Sequence, residues 1–375
     1  MPAITTLIKG KNPRFMPWII EENEIENFVE QISNSPDSAE IQIGYVLKTS
    51  YLKSLEPKGE NNIIVAVRDN NTSKYVGWSV ISKKIVFIGG IKEKIAYVSE
   101  LFLDSEYRNH IVFGLFVRML LHFTVDCKGY LSTVMYDNKK VLNMLLSGKG
   151  KMVPYRDFGT INTLAFYSKK INKVDADIEI SVKKAEEQDL DKLIQFWNEE
   201  SVNNQFLPVY SVDILKNSKG LLRDLKIDDV ILSIKNNKIV GSIAIWNQMA
   251  IKKAIIKKYP YWIKKLRPVI NLLLKIRGIP VLPKENTEID YRLISMLVVK
   301  NNESAVFKLL LNAIKKEINK KEKSTLLLMS LHEKNRLIQF IDFPYYNLKS
   351  KMIFASKGAN IQEKNIVPYI ELGSL

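Results

Sequence analysis

Cysteine is nearly absent. Cys127 is the only one in 375 residues, which excludes a disulfide framework and any cysteine-built zinc site. Histidine is almost as scarce: His110, His122 and His332 lie too far apart in sequence to form a metal motif, and no metal is expected. There is no Walker loop and no dinucleotide fingerprint. No uninterrupted apolar run reaches ~18 residues, the length that spans a bilayer as a helix. The longest, residues 111–125, is broken by Arg118 and His122. The basic start at Lys9, Lys11 and Arg14 is followed by no apolar leader segment, so the expected compartment is the cytoplasm. Acidic residues number 40 against 56 Lys and Arg, leaving a formal charge of +16 and a pI near 9.5. Such a field attracts anions, whether nucleic acid, anionic lipid or a polyphosphate ligand, without choosing among them.

What is present is enough for two cores. The chain is 46% hydrophobic and 26% charged, which excludes general disorder, and its length favours two domains. The polar stretch Ser168 to Asp177 has no apolar periodicity and predicts a boundary, giving domains 1–172 and 173–375. After it, residues 178–182 alternate like a strand, and Leu190, Leu193, Ile194 and Trp197 recur at helical spacing.

The halves repeat one another. Ile63 to Val67, Asn70-Asn71 and Val76-Gly77 correspond to Val230 to Ile234, Asn236-Asn237 and Val240-Gly241, each predicting a β-hairpin with Asn in the turn. Further on, strand Tyr97 to Leu103 leads into a helix containing Val112 and Phe113. Strand Tyr291 to Val299 leads into one containing Val306 and Phe307. A second strand follows each helix, then a helix opening at Asn138 or at Asn335.

This order of helix, hairpin, strand, loop, helix, strand and helix resembles the GNAT fold of acyl-CoA N-acyltransferases, present twice. Its most specific piece is Ser99 to Arg108, similar to the family's fourth strand and the start of its pyrophosphate loop. The resemblance implies an α/β (α+β) chain of two GNAT-like domains. Each would be a mixed, mostly antiparallel sheet flanked by helices. It also implies acetyl-CoA or another acyl-CoA as donor, and a small-molecule or peptide amine as acceptor. Coenzyme A's pyrophosphate would rest on backbone amides at a helix N-terminus. The family's loop reads Arg/Gln-x-x-Gly-x-Gly/Ala. Here Arg108 leads, but Ile111 and Phe113 stand at the glycine positions and Gly114 comes one residue late. The second loop has no leading Arg or Gln, and its Glu303 repels phosphate. The donor-binding residues implied are Leu101, Phe102, Leu103, Arg108, Asn109, His110, Ile111, Val112, Gly114 and Asn138.

Amine acylation needs a base for the amine and a proton for the departing thiolate. Glu100, in the fourth strand, is the base candidate, and Ile294 stands at its match in the second half. The family's usual acid tyrosine is replaced by Leu145 and Asp342, so Tyr136 is the substitute acid candidate. The second half also carries an insertion at about 249–288. Nine Lys and Arg lie between Ile251 and Pro283 with no acidic residue, and Pro260 and Pro268 predict separate short helices. A basic amphipathic segment with Trp and Tyr suits a membrane surface or a nucleic-acid backbone; alternatively its apolar side packs on the second domain. Two functions therefore compete: an N-acyltransferase, probed by titration with acetyl-CoA, and a catalytically degenerate tandem binding protein, probed by salt-sensitive binding to nucleic acid or lipid.

Overall fold

A computed structural model describes residues 13–33, 42–107, 110–148, 153–172, 179–321, 325–357 and 366–375. The first half runs β1 (Phe15–Ile19), α1 (Ile25–Ser33), β2 (Gln42–Leu47), α2 (Tyr51–Leu55), β3 (Asn61–Asp69), β4 (Tyr75–Ile88), β5 (Ile91–Leu103), α3 (His110–Phe123), β6 (Gly129–Met135), α4 (Lys139–Leu146) and β7 (Arg156–Tyr167). The second half begins β8 (Ile180–Lys184), α5 (Leu190–Glu200), β9 (Asn204–Gln205), α6 (Val212–Asn217), β10 (Val230–Lys235) and β11 (Lys238–Trp246). It continues β12 (Lys252–Lys258), α7 (Tyr261–Ile276), β13 (Tyr291–Val299), α8 (Ser304–Lys321), β14 (Leu326–His332), β15 (Tyr346–Ser356) and β16 (Val367–Pro368).

The halves share one 12-stranded sheet, ordered β1-β3-β4-β5-β6-β15-β7-β14-β13-β11-β10-β8. The β5·β6 and β13·β14 pairs are parallel and the rest antiparallel. The last strand of each half is exchanged. β7 pairs with β14 of the second half, and β15 inserts between β6 and β7. The expected division at 172 therefore follows a strand already built into the other half. Residues 173–178 lie outside the described residues.

Period-two alternation assigns the faces. On one face of the first half, Val65, Val67 and Ala96 pack under Val112, Leu115 and Phe116 of α3. On the other, Ile64, Ala66, Trp78 and Val80 meet Phe28 of α1 and Tyr51 and Leu55 of α2. The second half repeats this with α8 on one face and α5 and α6 on the other. A shared cluster of Val86, Ile95, Leu131, Phe206, Met352 and Phe354 joins the halves.

The repeated Val-Gly has a packing cause. A Cβ on Gly241 would lie 2.6 Å from Val306, and one on Gly77 3.0 Å from Phe116, so each glycine lets a helix close onto the sheet. The expected Asn turns differ. Asn236 and Asn237 both take positive φ, as a tight hairpin needs, but in the longer first turn it is Ser73 that does so. The helix expected at Asn335 is a short 3-10 turn, Arg336–Phe340.

The insertion is not two short helices. Its first part is β12, which pairs with β2 of the first half. Its second is the single helix α7, with Pro268 inside it. Pro268 faces solvent, so the carbonyl that loses its helical partner there is open to water.

Candidate functional site

In the first half β5 and β6 pair only at Ala96–Tyr130 and Tyr97–Leu131, then part. In the second, β13 and β14 part beyond Ile294–Met329. A bulge follows each split. The β4·β5 register slips between Trp78 and Val80, and Glu100 takes φ 54°. The β11·β13 register slips between Ser242 and Ala244, and Met296 takes φ 49°. Counting back from the matched pairs Gly77–Leu103 and Gly241–Val299 makes Met296 the counterpart of Glu100, correcting the expected match at Ile294. Non-glycine residues at positive φ are strained by about 1–3 kcal/mol, and two at equivalent bulges mark a position held for a purpose.

At the first bulge Glu100 is fully engaged. Lys58 Nζ donates to its Oε1 at 2.7 Å, and the Tyr51 hydroxyl donates to Oε2 in a short hydrogen bond. Burial alone would raise the Glu100 carboxyl; the Lys58 ammonium and the two donors outweigh it and hold it below the usual carboxylate range. Burial and the neighbouring carboxylate push the Tyr51 hydroxyl well up, so it stays protonated. Lys58 follows a short turn, Glu56–Lys58, whose Glu56 accepts from Arg223 of the second half at 2.7 Å, so the other half braces this cluster.

The second half also comes close to this cluster through Lys252, whose charge favours the Glu100 carboxylate. Lys252 of β12 lies over the Tyr45 ring of β2, and burial lowers its ammonium to about 8. Lys84 projects from β4 on the face of Val80 and Val86, over the Tyr97 ring. Its side chain lines a small cavity with Thr133, Tyr369 and Glu371, is only 6% exposed, and has no hydrogen-bond acceptor among the described residues. Burial pulls its pKa down to about 8. The Glu371 carboxylate on the same cavity offsets part of that burial cost.

The second bulge is occupied from within. Glu371, 5% exposed, accepts from the Met296 amide at 3.1 Å, the Ser295 hydroxyl at 2.7 Å and the Tyr369 hydroxyl at 3.0 Å. Burial raises its carboxyl despite these donors. Gln248 holds the Gly373 carbonyl at 2.8 Å, and a Cβ on Gly373 would strike Trp246 at 2.2 Å, so this segment is packed down tightly. In the first half no side chain among the described residues accepts from the amide of Glu100 or Leu101.

The sequence-predicted residues scatter around this frame. Leu101 and Ile111 are exposed, and a Cβ on Gly114 would meet nothing within 4 Å among the described residues. Phe102 stacks on Trp78 at 4.1 Å, and Leu103 packs into the α3-side core. Val112 is fully buried, so only its backbone is placed to face a ligand. Asn138 caps α4 by accepting from Val141 N–H, as Asn335 does for Leu337, a structural job in both halves. Arg108 and Asn109 lie outside the described residues, and of His110 only its place at the start of α3 is described. Tyr136 sits on the rim beneath Lys139, 3.8 Å from ring centre to Nζ, and takes no part in the Glu100 cluster. The tyrosine that reaches Glu100 is Tyr51. Burial pushes the Cys127 thiol up to about 11, so it is no nucleophile at neutral pH.

No protein-family model matches the chain, and no curated protein matches it in sequence. Solved structures do match its fold. The N-myristoyltransferase of Saccharomyces cerevisiae with bound myristoyl-CoA is 10% identical, with a TM-score of 0.54, over 96% of this chain and 90% of that one. A GCN5-related glucosamine N-acetyltransferase region of a fungal multi-domain GH3 β-N-acetylglucosaminidase is 12% identical, with a TM-score of 0.58. It covers 92% of this chain, which spans only 38% of that one. A GCN5-related N-acetyltransferase of Anabaena variabilis is 10% identical, with a TM-score of 0.51, over 91% of this chain and 72% of that one. The fold is thus the GNAT fold, in two lobes.

Proposed function

We propose that this protein is an N-acyltransferase that moves an acyl group from acyl-CoA to an amine, with the donor held by the first half alone. The contrast between the bulges carries the reading: one has no side-chain acceptor on its amides among the described residues, and the other spends Met296 N–H on Glu371. The exposed Leu101 and Ile111, and a Gly114 whose added Cβ would meet nothing within 4 Å among the described residues, support a fit for the donor there. Neighbours of the same fold whose names include acyl-CoA or N-acetyl transfer support the chemistry.

In this reading the amine nitrogen attacks the thioester carbonyl carbon. The C–N bond forms, the C–S bond breaks, the amine proton passes to water, and the thiolate leaves. A bulge amide supports the carbonyl oxygen as charge builds on it. Glu100, held below the usual carboxylate range by Lys58 and Tyr51, is a poor proton acceptor with both oxygens engaged. In this reading it steadies the bulge, and the proton passes to water. The acceptor class we infer is a small-molecule or peptide amine. Acetyl-CoA is the first donor to test, and a reaction that draws on acyl-CoA suits the cytoplasm.

Isothermal titration with acetyl-CoA and longer acyl-CoAs tests the reading. One site per chain is expected, followed by release of free thiol when amino-acid or peptide amines are added. Absence of binding by every acyl-CoA at millimolar concentration would leave only the idle, architectural alternative.

A further inference from the structure

Among the described residues, helix α7 is sparsely partnered. Its anchored side is narrow: Ile263 is its only buried residue, and Arg267 and Asn271 bond the backbone of Leu282. About a quarter turn away, Trp262, Leu266, Val269, Leu273 and Ile276 follow one another at spacings of four, three, four and three residues. They form one stripe along the helix. All five are exposed, from 48% at Leu266 to 74% at Ile276, and Tyr261 and Leu272 widen the stripe. Monomeric soluble proteins rarely leave so continuous an apolar surface uncovered. Packing of this segment is confined to Ile256, Tyr259 and Ile263; the stripe of Trp262, Leu266 and Leu273 faces outward.

Charge decides what covers it. Lys265, Lys275 and Arg277 border the stripe, with no acidic partner among the described residues, while Lys257 and Lys258 lead into the helix. Lys264 alone of the helix's lysines is paired, with Glu285 at 2.6 Å. An apolar stripe with Trp and Tyr at one end and unpaired cations along its flanks is the pattern of a helix lying in a lipid interface. The apolar residues enter the acyl boundary, and the cations meet anionic headgroups. A nucleic-acid backbone would satisfy the cations but leave seven large apolar side chains in water.

We propose that α7 docks the protein on an anionic lipid surface, lying in the plane of the interface with Trp262, Leu266, Val269, Leu273 and Ile276 inward. The docking is peripheral, since no helix among the described residues is long and apolar enough to cross a membrane. It stands apart from the acyl-transfer reading and survives or fails without it.

Flotation of the full chain with vesicles tests it. One set is phosphatidylcholine; the other contains about one third phosphatidylserine. Retention on the anionic vesicles is expected, falling as salt rises, with weak retention on the neutral ones. Leu266→Glu with Leu273→Glu should cut the retained fraction at least about tenfold, and Lys265→Glu with Lys275→Glu should remove the preference for phosphatidylserine. These side chains are exposed, so both variants should keep the wild-type melting profile. A tryptophan blue shift on vesicle binding should vanish in Trp262→Phe. Three outcomes overturn the proposal: no retention at low salt; retention undiminished by the two glutamates; or RNA retention that needs the lysines and ignores Leu266 and Leu273. Concentration-dependent self-association without lipid, lost on Leu273→Glu, would assign the stripe to a second copy and overturn it as well.

Discussion

The same strained bulge stands at the same place in both halves, beside the same parting of strands, yet the two have opposite neighbours. Glu100 is held by the side chains of Lys58 and Tyr51, whereas the Met296 amide is sealed by a buried carboxylate brought from the far end of the described chain. The difference teaches that backbone geometry and chemistry part company in a duplicated fold. The bulge is kept because the sheet is built around it, as the matched glycines 77 and 241 under α3 and α8 also are. On the proposed reading, chemistry is kept only where the bulge amide is not already bonded from within. Strand exchange then binds the fates of the halves together, since neither sheet edge at the centre is closed by its own half.

The largest test of this comparison is to separate the halves. Produced as chains 1–172 and 173–375, the first keeps β7 but loses its partners β14 and β15, and β6 loses β15. Neither piece should show a cooperative melt alone, and co-expression should restore one transition. A piece 1–172 that melts cooperatively and binds acyl-CoA would mean the exchange is ornamental.

Next in size is a matched pair of substitutions. Leu101→Pro deletes one bulge amide at an exposed position of the first half. It should lower kcat/KM by about 10²–10³-fold with a small change in Tm. Leu297→Pro hits the counterpart, whose side chain is 8% exposed. It should cost about 3 kcal/mol of stability in urea unfolding while leaving donor affinity unchanged. Equal kinetic losses in both would abolish the asymmetry.

A smaller effect probes the seal itself. Glu371→Ala leaves the Met296 amide and the hydroxyls of Ser295 and Tyr369 without their acceptor and should cost about 2–4 kcal/mol. Glu371→Gln, which keeps the shape and one strong acceptor, should cost clearly less. Titration of Glu371→Ala with acyl-CoA should still give one site. Two sites would show the second half to be a competent pocket under a removable cover.

Much of this architecture was legible from the residues. Element order, the Val-Gly contacts and the fourth strand with Glu100 followed from periodicity and repetition, because each is a local pattern. The exchange of β7 and β15 was not, because nothing in either strand states which neighbour it will find across some 190 residues. The site was read in part. Glu100 stands in the strand where the sequence places it, but its partners Tyr51, at the start of α2, and Lys58, at the end of a short turn, belong to no motif. Two signals were available and unused. Lys84 sits on the inward face of an otherwise apolar alternation, from Val80 through Ser82 to Val86, while its neighbour Lys83 turns out to Asp126. Glu371 is a lone acid amid Tyr369, Ile370 and Leu372. A charge where the pattern demands an apolar residue is either paired or in use.

Lys84 allows that distinction to be measured. Its folded pKa of about 8 lies below the ordinary lysine value near 10.4, so folding disfavours the charged form. For a depressed value the associated stability is present in full above the unfolded pKa and is lost as pH falls through the folded one. Wild type is therefore penalised below about pH 8, and the penalty fades between 8 and 10. Lys84→Met should thus be more stable than wild type by about 1–3 kcal/mol at pH 7, with the advantage shrinking as pH rises through that window. Lys84 shares its cavity with the Glu371 carboxylate, so the same substitution made together with Glu371→Gln should change stability by a different amount than in wild type. If Lys84→Met gains nothing at pH 7, the facing carboxylate already offsets the burial of the ammonium; if the gain is the same with and without Glu371→Gln, the two charges act independently.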